Sequence, residues 1–304
     1  MHSELDPSSG DRPPNARLSN ADHTNCLAGF NLQSVQVSHS VIIKRYLEDA
    51  RSGQPFCRRD AEAMTAISAH YYAIVKAACI AVPQTAFKIE PFGDGYALIQ
   101  SSRFLGSRNC ADALYAATTL FDAFTVALAL IEPWIHLARF VCSGLREDDL
   151  PIGLDNSPYN FVLDPTGRAV YVDFYPPRVR LMPDGYRLAD SEVITDLPAA
   201  RSDAHASHLI RCFYSCSGML LHGLSHVLAA IDSNPRLTPY WPRQEAKLFA
   251  ALVGVIAAAG LGQQAKWLSC ADAGGELQTL RMRYRRHRHT YYRRFSRPVT
   301  RLEA

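Results

Sequence analysis

Apolar positions begin to recur only after residue 25. Residues 1–25 are rich in Pro, Ser, Asn, Asp and Gly and carry no period, so a disordered N-terminus is expected there. LQSVQV and SVIIKRY then alternate or run with β-branched residues, which predicts paired strands up to Tyr46. SGQPF makes a turn. Residues 57–79 change to helical spacing, with Ala61, Met64, Ile67, Tyr71, Ile74 and Val75 on one side and Pro83 beyond the end. TAFKIEPFGDGYALIQ sets two apolar runs around Asp-Gly, a hairpin signal.

Residues 109–143 read as a long apolar helical region with a break near Pro133. A short hairpin follows over 161–172, turning at DPTG, and PDGYRL at 183–188 marks another. Helical patterns fill the rest, over 203–231, 243–262 and 276–296. The expected fold class is therefore α+β. A strand-rich part over 26–102 precedes a larger helical part over 103–280 and a basic segment over 281–304, with a cleft near the Gln100–Gly106 crossover.

Charge sharpens this division. The 304 residues carry a formal net charge of +3. Residues 281–304 hold nine Arg against one Glu, which leaves about −5 for the rest. The eight cysteines lie mostly in apolar segments and the N-terminus has no apolar signal-peptide core. Reduced thiols in a cytoplasmic protein are expected. The longest uninterrupted apolar run, Leu248–Leu261, has 14 residues, below the roughly 18–20 that span a bilayer. No membrane partner is expected.

The chemistry concentrates in GLDNSPYNFVLDPTGRAVYVDFYPP, residues 153–177. Asp155 and Asn160 sit five apart on one loop. The arms Phe161–Leu163 and Ala169–Val172 would return Asp173 to the same end as Asn160. Two carboxylates and an amide oxygen gathered in this way suit a hydroxyl-activating base beside a hard, oxygen-liganded cation. The plainer reading is turn chemistry, since Asp and Asn favour loops.

The D155-N-S-P-Y-N160 stretch resembles the D-x-x-x-x-N catalytic loop of the protein-kinase-like superfamily. V172-D173-F174 resembles the start of its D-F-G, and V41-I-I-K44 its strand lysine. The resemblance runs over roughly residues 30–235. It lies nearest to aminoglycoside-type and other small-molecule or peptide phosphotransferases. It implies a bilobal fold, ATP and Mg²⁺ as cofactors, and transfer of a phosphoryl group to a hydroxyl.

By the same resemblance Asp155 is the catalytic base and Asn160 and Asp173 are the metal ligands. Lys44 contacts the nucleotide phosphates, with Glu62 as its ion-pair partner. The acceptor would be a natural-product small molecule or a peptide Ser/Thr, in biosynthesis or resistance. The chain departs from the pattern at Gly153, where the family has His, and at Tyr175-Pro176-Pro177, where it has Gly and a mobile segment. It also lacks G-x-G-x-x-G and A-P-E sequences. These departures keep open a catalytically weak pseudokinase acting as a partner protein.

Two further features compete. His208, Cys212, Cys216, His222 and His226 fall on one predicted helix, several of them four apart. Gly223 occupies the place of the zincin glutamate, so a core stripe is the expected role. In the basic segment, Leu277, Leu280, Tyr284, Tyr291 and Phe295 keep near-helical spacing. That predicts a last helix with outward arginines, able to meet an acidic peptide or protein over 281–297. The acidic body argues against nucleic acid. Serine-hydrolase elbow, dinucleotide and Walker A sequences are all missing.

Overall fold

A computed structural model describes residues 34–37, 40–46, 56–106, 108–142, 153–175, 179–182, 185–188, 212 and 215–295. The N-terminal 25 residues and His208 lie outside this set.

The strand-rich part is a four-stranded antiparallel sheet of β1 (Ser34–Val37), β2 (Val41–Tyr46), β3 (Thr85–Phe92) and β4 (Gly95–Arg103), in the order β1-β2-β4-β3. Its second hairpin forms where Asp-Gly predicts it. Phe92 pairs with Gly95 across a turn in which Gly93 takes φ +55°, a left-handed position natural to glycine. The side-chain period of two puts Lys44 and Tyr46 on one face of β2, opposite Gln100 and Leu98 of β4.

Helix α1 (Arg58–Ala77) joins the two hairpins. The Cys57 sulfur accepts from the Asp60 amide at its start. Ala61, Met64, Ser68, Tyr71 and Val75 are its buried positions. Ala61 and Met64 share a small core with Tyr46, Phe56 and Leu98. Tyr71 and Val75 belong to the main core instead, so α1 links both.

The helical part begins with α2 (Cys110–Ala116) and α3 (Leu120–Cys142). The break falls at Ala117–Thr119, where the sequence suggested Pro133. Thr118 and Thr119 donate to the Asp122 carboxylate there, and the Asp122 amide donates back to Thr119 Oγ1, which starts a new helix. Pro133 lies inside α3. Asn234 ties down the break, donating to Leu114 O at 3.1 Å and Ala117 O at 2.9 Å.

Helix α3 is, by length and composition, apolar enough to cross a membrane. Here Ala127, Leu130, Ile131, Trp134 and Leu137 pack it into the main core. Two short hairpins follow, β5 (Phe161–Leu163) with β6 (Ala169–Tyr171) and β7 (Val179–Met182) with β8 (Gly185–Leu188).

Then come α4 (Cys216–Asp232), α5 (Trp241–Ala258), α6 (Gly262–Leu268) and α7 (Ala271–Phe295). Helix α6 is not evident in the apolar period. Gly260, at φ +89°, turns the chain between α5 and α6. Gly223 has a packing role: a Cβ there would lie 2.5 Å from the Trp134 ring, so glycine lets α3 and α4 approach closely. The expected boundary at residue 281 falls inside one continuous helix. Leu277, Leu280 and Arg281 of α7 are buried.

Candidate functional site

The β5–β6 hairpin builds the centre of the site. Its turn is shaped by the Asp164 carboxylate, which accepts from the Thr166 amide at 2.8 Å and the Arg168 amide at 3.0 Å. Gly167 takes φ +84°. Phe161 pairs with Tyr171, and one step further Val172 N donates to Asn160 O at 2.9 Å. Asn160 and Asp173 therefore leave the same end of the ribbon, as the spacing predicts. Asn160 Nδ2 donates to Asp155 O at 3.2 Å, closing the loop on itself.

The loop is fixed from beneath by residues that alternate with Asp155. Leu154 and Asn156 are fully buried, whereas Asp155 is half-buried. The Asn156 amide donates to Met219 O, and its Oδ1 meets His222 Nδ1 at 2.5 Å. Since Nδ2 faces a carbonyl, Oδ1 faces the imidazole, and His222 is the donor. Asp155 Oδ1 accepts from the Ser157 amide at 3.2 Å. The Gly153 carbonyl is held by Tyr71 Oη at 2.9 Å. Tyr171 then supplies the hydrogen of the 3.3 Å bond between the Tyr171 and Tyr71 hydroxyls. The Tyr171 phenol is raised well above its ordinary value, first by burial, then by Tyr71 and the Asp173 and Asp155 charges. Both carboxylates thus act on one buried ring.

The sheet meets this hairpin just before Asp173. Lys44 Nζ donates to Val172 O at 2.8 Å, and Gln100 Nε2 donates to the same carbonyl at 3.2 Å. Burial lowers the Lys44 ammonium, and the Asp173 charge opposes that shift. Tyr46 Oη lies 3.3 Å from Asp173 Oδ1 and 3.4 Å from Gln100 Oε1. The Tyr46 phenol is raised by burial and by Asp173, which keeps it a donor. Its ring stacks on Tyr175 with centroids 4.9 Å apart. Phe174 is fully buried against the edges and faces of Tyr72, Phe87 and Tyr171.

One expected contact is absent. Glu62 pairs with Arg58 at 2.9 Å, with its side chain 54% exposed, and it does not pair with Lys44. The reason is helical phase: the inward stripe of α1 runs through Ala61, Met64 and Ser68, and Glu62 is turned about 100° from Ala61. The carboxylate that acts on Lys44 is Asp173. Glu62 instead lines a groove of about 410 Å³ between α1 and β3, with Tyr72, Thr85 and Phe87.

Tyr46, Gln100, Asn156, Tyr71 and His222 complete the arrangement. Tyr46 had a signal in the sequence, two positions from Lys44 on a strand. Gln100 had a weaker one, as a polar residue closing the apolar run ALI. Tyr71 and His222 stood out only as positions on their own helices, and nothing local ties them or Asn156 to this loop.

The His/Cys stripe belongs to the core over its described part. Cys212 and Cys216 are buried, and His226 stacks on Tyr284 of α7 at 3.6 Å. Among the described residues no three His, Cys, Asp or Glu side chains gather into a metal cluster. Asn160 and Asp173 offer oxygen donors only, the set that a hard divalent cation prefers.

Burial lowers His226 from its ordinary 6.5 to about 3. The folded protein therefore keeps this imidazole neutral while the unfolded chain binds a proton below 6.5. Its stabilising effect is complete above pH 6.5 and falls away as pH drops toward about 3. At pH 5 the expected loss is on the order of 1–2 kcal/mol. Thermal melts of wild type and His226→Phe at pH 7.5 and 5 should show a smaller acid drop in the variant. Equal drops would contradict this role.

No protein-family model matches the chain, and no curated protein matches it.

Proposed function

We propose that the protein is an ATP- and Mg²⁺-dependent phosphotransferase with a bilobal, protein-kinase-like arrangement. One observation carries this reading. A single hairpin brings Asn160 and Asp173 together beside the Asp155 loop, while Lys44 reaches the residue before Asp173 from the sheet. The element order also supports it: lysine strand, helix, two strands, helices, then loop and hairpin.

In this reading Asp155 orients the acceptor hydroxyl and takes its proton. Asn160 and Asp173 would hold Mg²⁺, which would offset the negative charge of the phosphates. Lys44 binds phosphate oxygens, turning from Val172 O to do so. Asp173, not Glu62, balances its charge. Positioning and electrostatics supply most of the rate. The acceptor is a small natural-product hydroxyl or a peptide Ser/Thr; an acidic peptide would suit the basic segment 281–297.

The test is calorimetry of ATP binding with and without Mg²⁺. Wild type should bind only with metal, and Asp173→Ala should lose that binding. Metal-dependent binding that survives in Asp173→Ala would overturn the ligand assignment.

A second reading is a non-catalytic partner protein. It is favoured by the engagement of Lys44 with Val172 O and of Asp173 Oδ1 with Tyr46. It predicts no Mg²⁺-dependent ATP binding by wild type.

A further inference from the structure

We infer that Tyr46 is a positioning residue for Asp173, setting the orientation in which that carboxylate receives a divalent cation. The inference rests on the assignment of Asp173 as a metal ligand. It adds a residue for which neither the D-x-x-x-x-N loop nor the lysine strand has a place.

The argument begins with donors. Asp173 Oδ1 is approached by two: Tyr46 Oη at 3.3 Å and the Tyr175 amide at 3.4 Å. They come from different elements, one from the sheet and one from the chain just after the hairpin. A carboxylate held at one oxygen by two donors has its plane fixed, and that is what a metal ligand needs from its surroundings.

The phenol has one hydrogen and two acceptors, Asp173 Oδ1 and Gln100 Oε1. The charged acceptor makes the stronger bond. The Gln100 amide nitrogen donates to Ser102 Oγ at 3.1 Å and Val172 O at 3.2 Å, so its neutral Oε1 faces the hydroxyl, at 3.4 Å against 3.3 Å for the charged Asp173 oxygen. The hydroxyl therefore serves Asp173.

The ring is held as firmly as its hydroxyl. Tyr46 is buried, shares a small core with Phe56, Met64 and Leu98, and stacks on Tyr175 at 25°. Tyr175 thus contributes twice, with its amide on Asp173 and its ring on Tyr46. This gives a physical role to the residue that stands where the superfamily pattern has glycine: Tyr175 clamps the phenol that orients the metal ligand. A glycine could supply the amide but not the clamp.

The probe is Mn²⁺ alone, titrated without nucleotide and followed by electron paramagnetic resonance. The samples are wild type, Tyr46→Phe, Tyr175→Leu and Asp173→Ala, with a thermal melt of each. Tyr46→Phe keeps the stacked ring and loses only the hydroxyl. Its Mn²⁺ affinity should fall roughly tenfold, as expected for one bond to a charged group, with a melt close to that of wild type. Tyr175→Leu keeps the amide and releases the ring, so a smaller fall of a few-fold is expected.

Wild-type affinity in Tyr46→Phe overturns the inference while leaving the phosphotransferase reading in place. Should Tyr46→Phe not fold, unchanged affinity in Tyr175→Leu overturns it equally. Mn²⁺ binding that persists in Asp173→Ala, or no Mn²⁺ binding by wild type, removes the metal assignment and the inference with it. Calorimetry with Mg²⁺ and ATP then decides separately whether a nucleotide site exists.

Discussion

Under the proposed phosphotransferase function, replacing Asp155 with asparagine is expected to lower phosphoryl transfer by about 10²–10⁴-fold and to leave Mg²⁺–ATP binding unchanged. The split follows from where the residue sits. Asp155 is the half-buried member of a loop whose neighbours Leu154 and Asn156 are locked inside. Its backbone carbonyl, not its side chain, accepts from Asn160. Its carboxylate accepts the Ser157 amide, a bond that an asparagine oxygen can also accept. The substitution therefore removes a proton acceptor without moving the loop. Single-turnover rates with a responsive hydroxyl acceptor, alongside nucleotide titrations, measure both halves. Full activity in the variant would remove Asp155 from the base role. A fall in rate that tracked a fall in ATP binding would point to a distorted loop instead.

Arg281→Met should destabilise the fold by about 3–5 kcal/mol, a drop in melting temperature on the order of 10 °C. Arg281 is buried and forms a two-bond pair with Asp232 of α4. It also reaches Glu245 of α5, with Nη2 2.9 Å from Oε2. Burial works against its charge, but the bonds to Asp232 and Glu245 outweigh it and hold the guanidinium above its ordinary value. Removing the cation leaves the Asp232 carboxylate, whose side chain is only 5% exposed, with the more distant Arg285 Nη1 at 4.0 Å as a cation partner. The double variant Arg281→Met with Asp232→Leu should recover much of the loss, since apolar replacements relieve the buried charge. Substitution of the exposed neighbour Met282 by Gln is the control and should change little. A melt for Arg281→Met within 2–3 °C of wild type, about 1 kcal/mol, would show that the network contributes little.

Arg281 also shows where sequence reasoning stops. In the sequence it opens a run of arginines and reads as the edge of a basic segment. Only the arrival of α4 and α5 on either side distinguishes it from Arg285, which stays half-exposed. Glu62 failed for a related reason. The pattern locates a carboxylate early in α1, but one helical step decides whether it faces the sheet or solvent. That Asn160 and Asp173 leave the same end of the hairpin was legible because it depends on local facts: a turn held by Asp164 and Gly167 and a period of two. The break before α3 was misplaced because proline is a stronger signal in sequence than the bonds of Thr118 and Thr119 to Asp122. The supports of the Asp155 loop could not be read at all. Tyr71 lies 82 residues from Gly153, and His222 lies 66 from Asn156.

Phe174 has a consequence for how such an enzyme would be controlled. Its ring is enclosed by Tyr72, Phe87 and Tyr171, and the next residue is stacked against the sheet. Swinging Phe174 out would empty a site of full aromatic size, at about 3–5 kcal/mol by the cost of truncating a buried phenylalanine. That is more than the roughly 1–3 kcal/mol that a typical effector's coupling supplies. A protein built this way has no inexpensive off position at this residue. Under the proposed phosphotransferase function, an effector acting by displacement of Phe174 would have to supply more than this typical coupling.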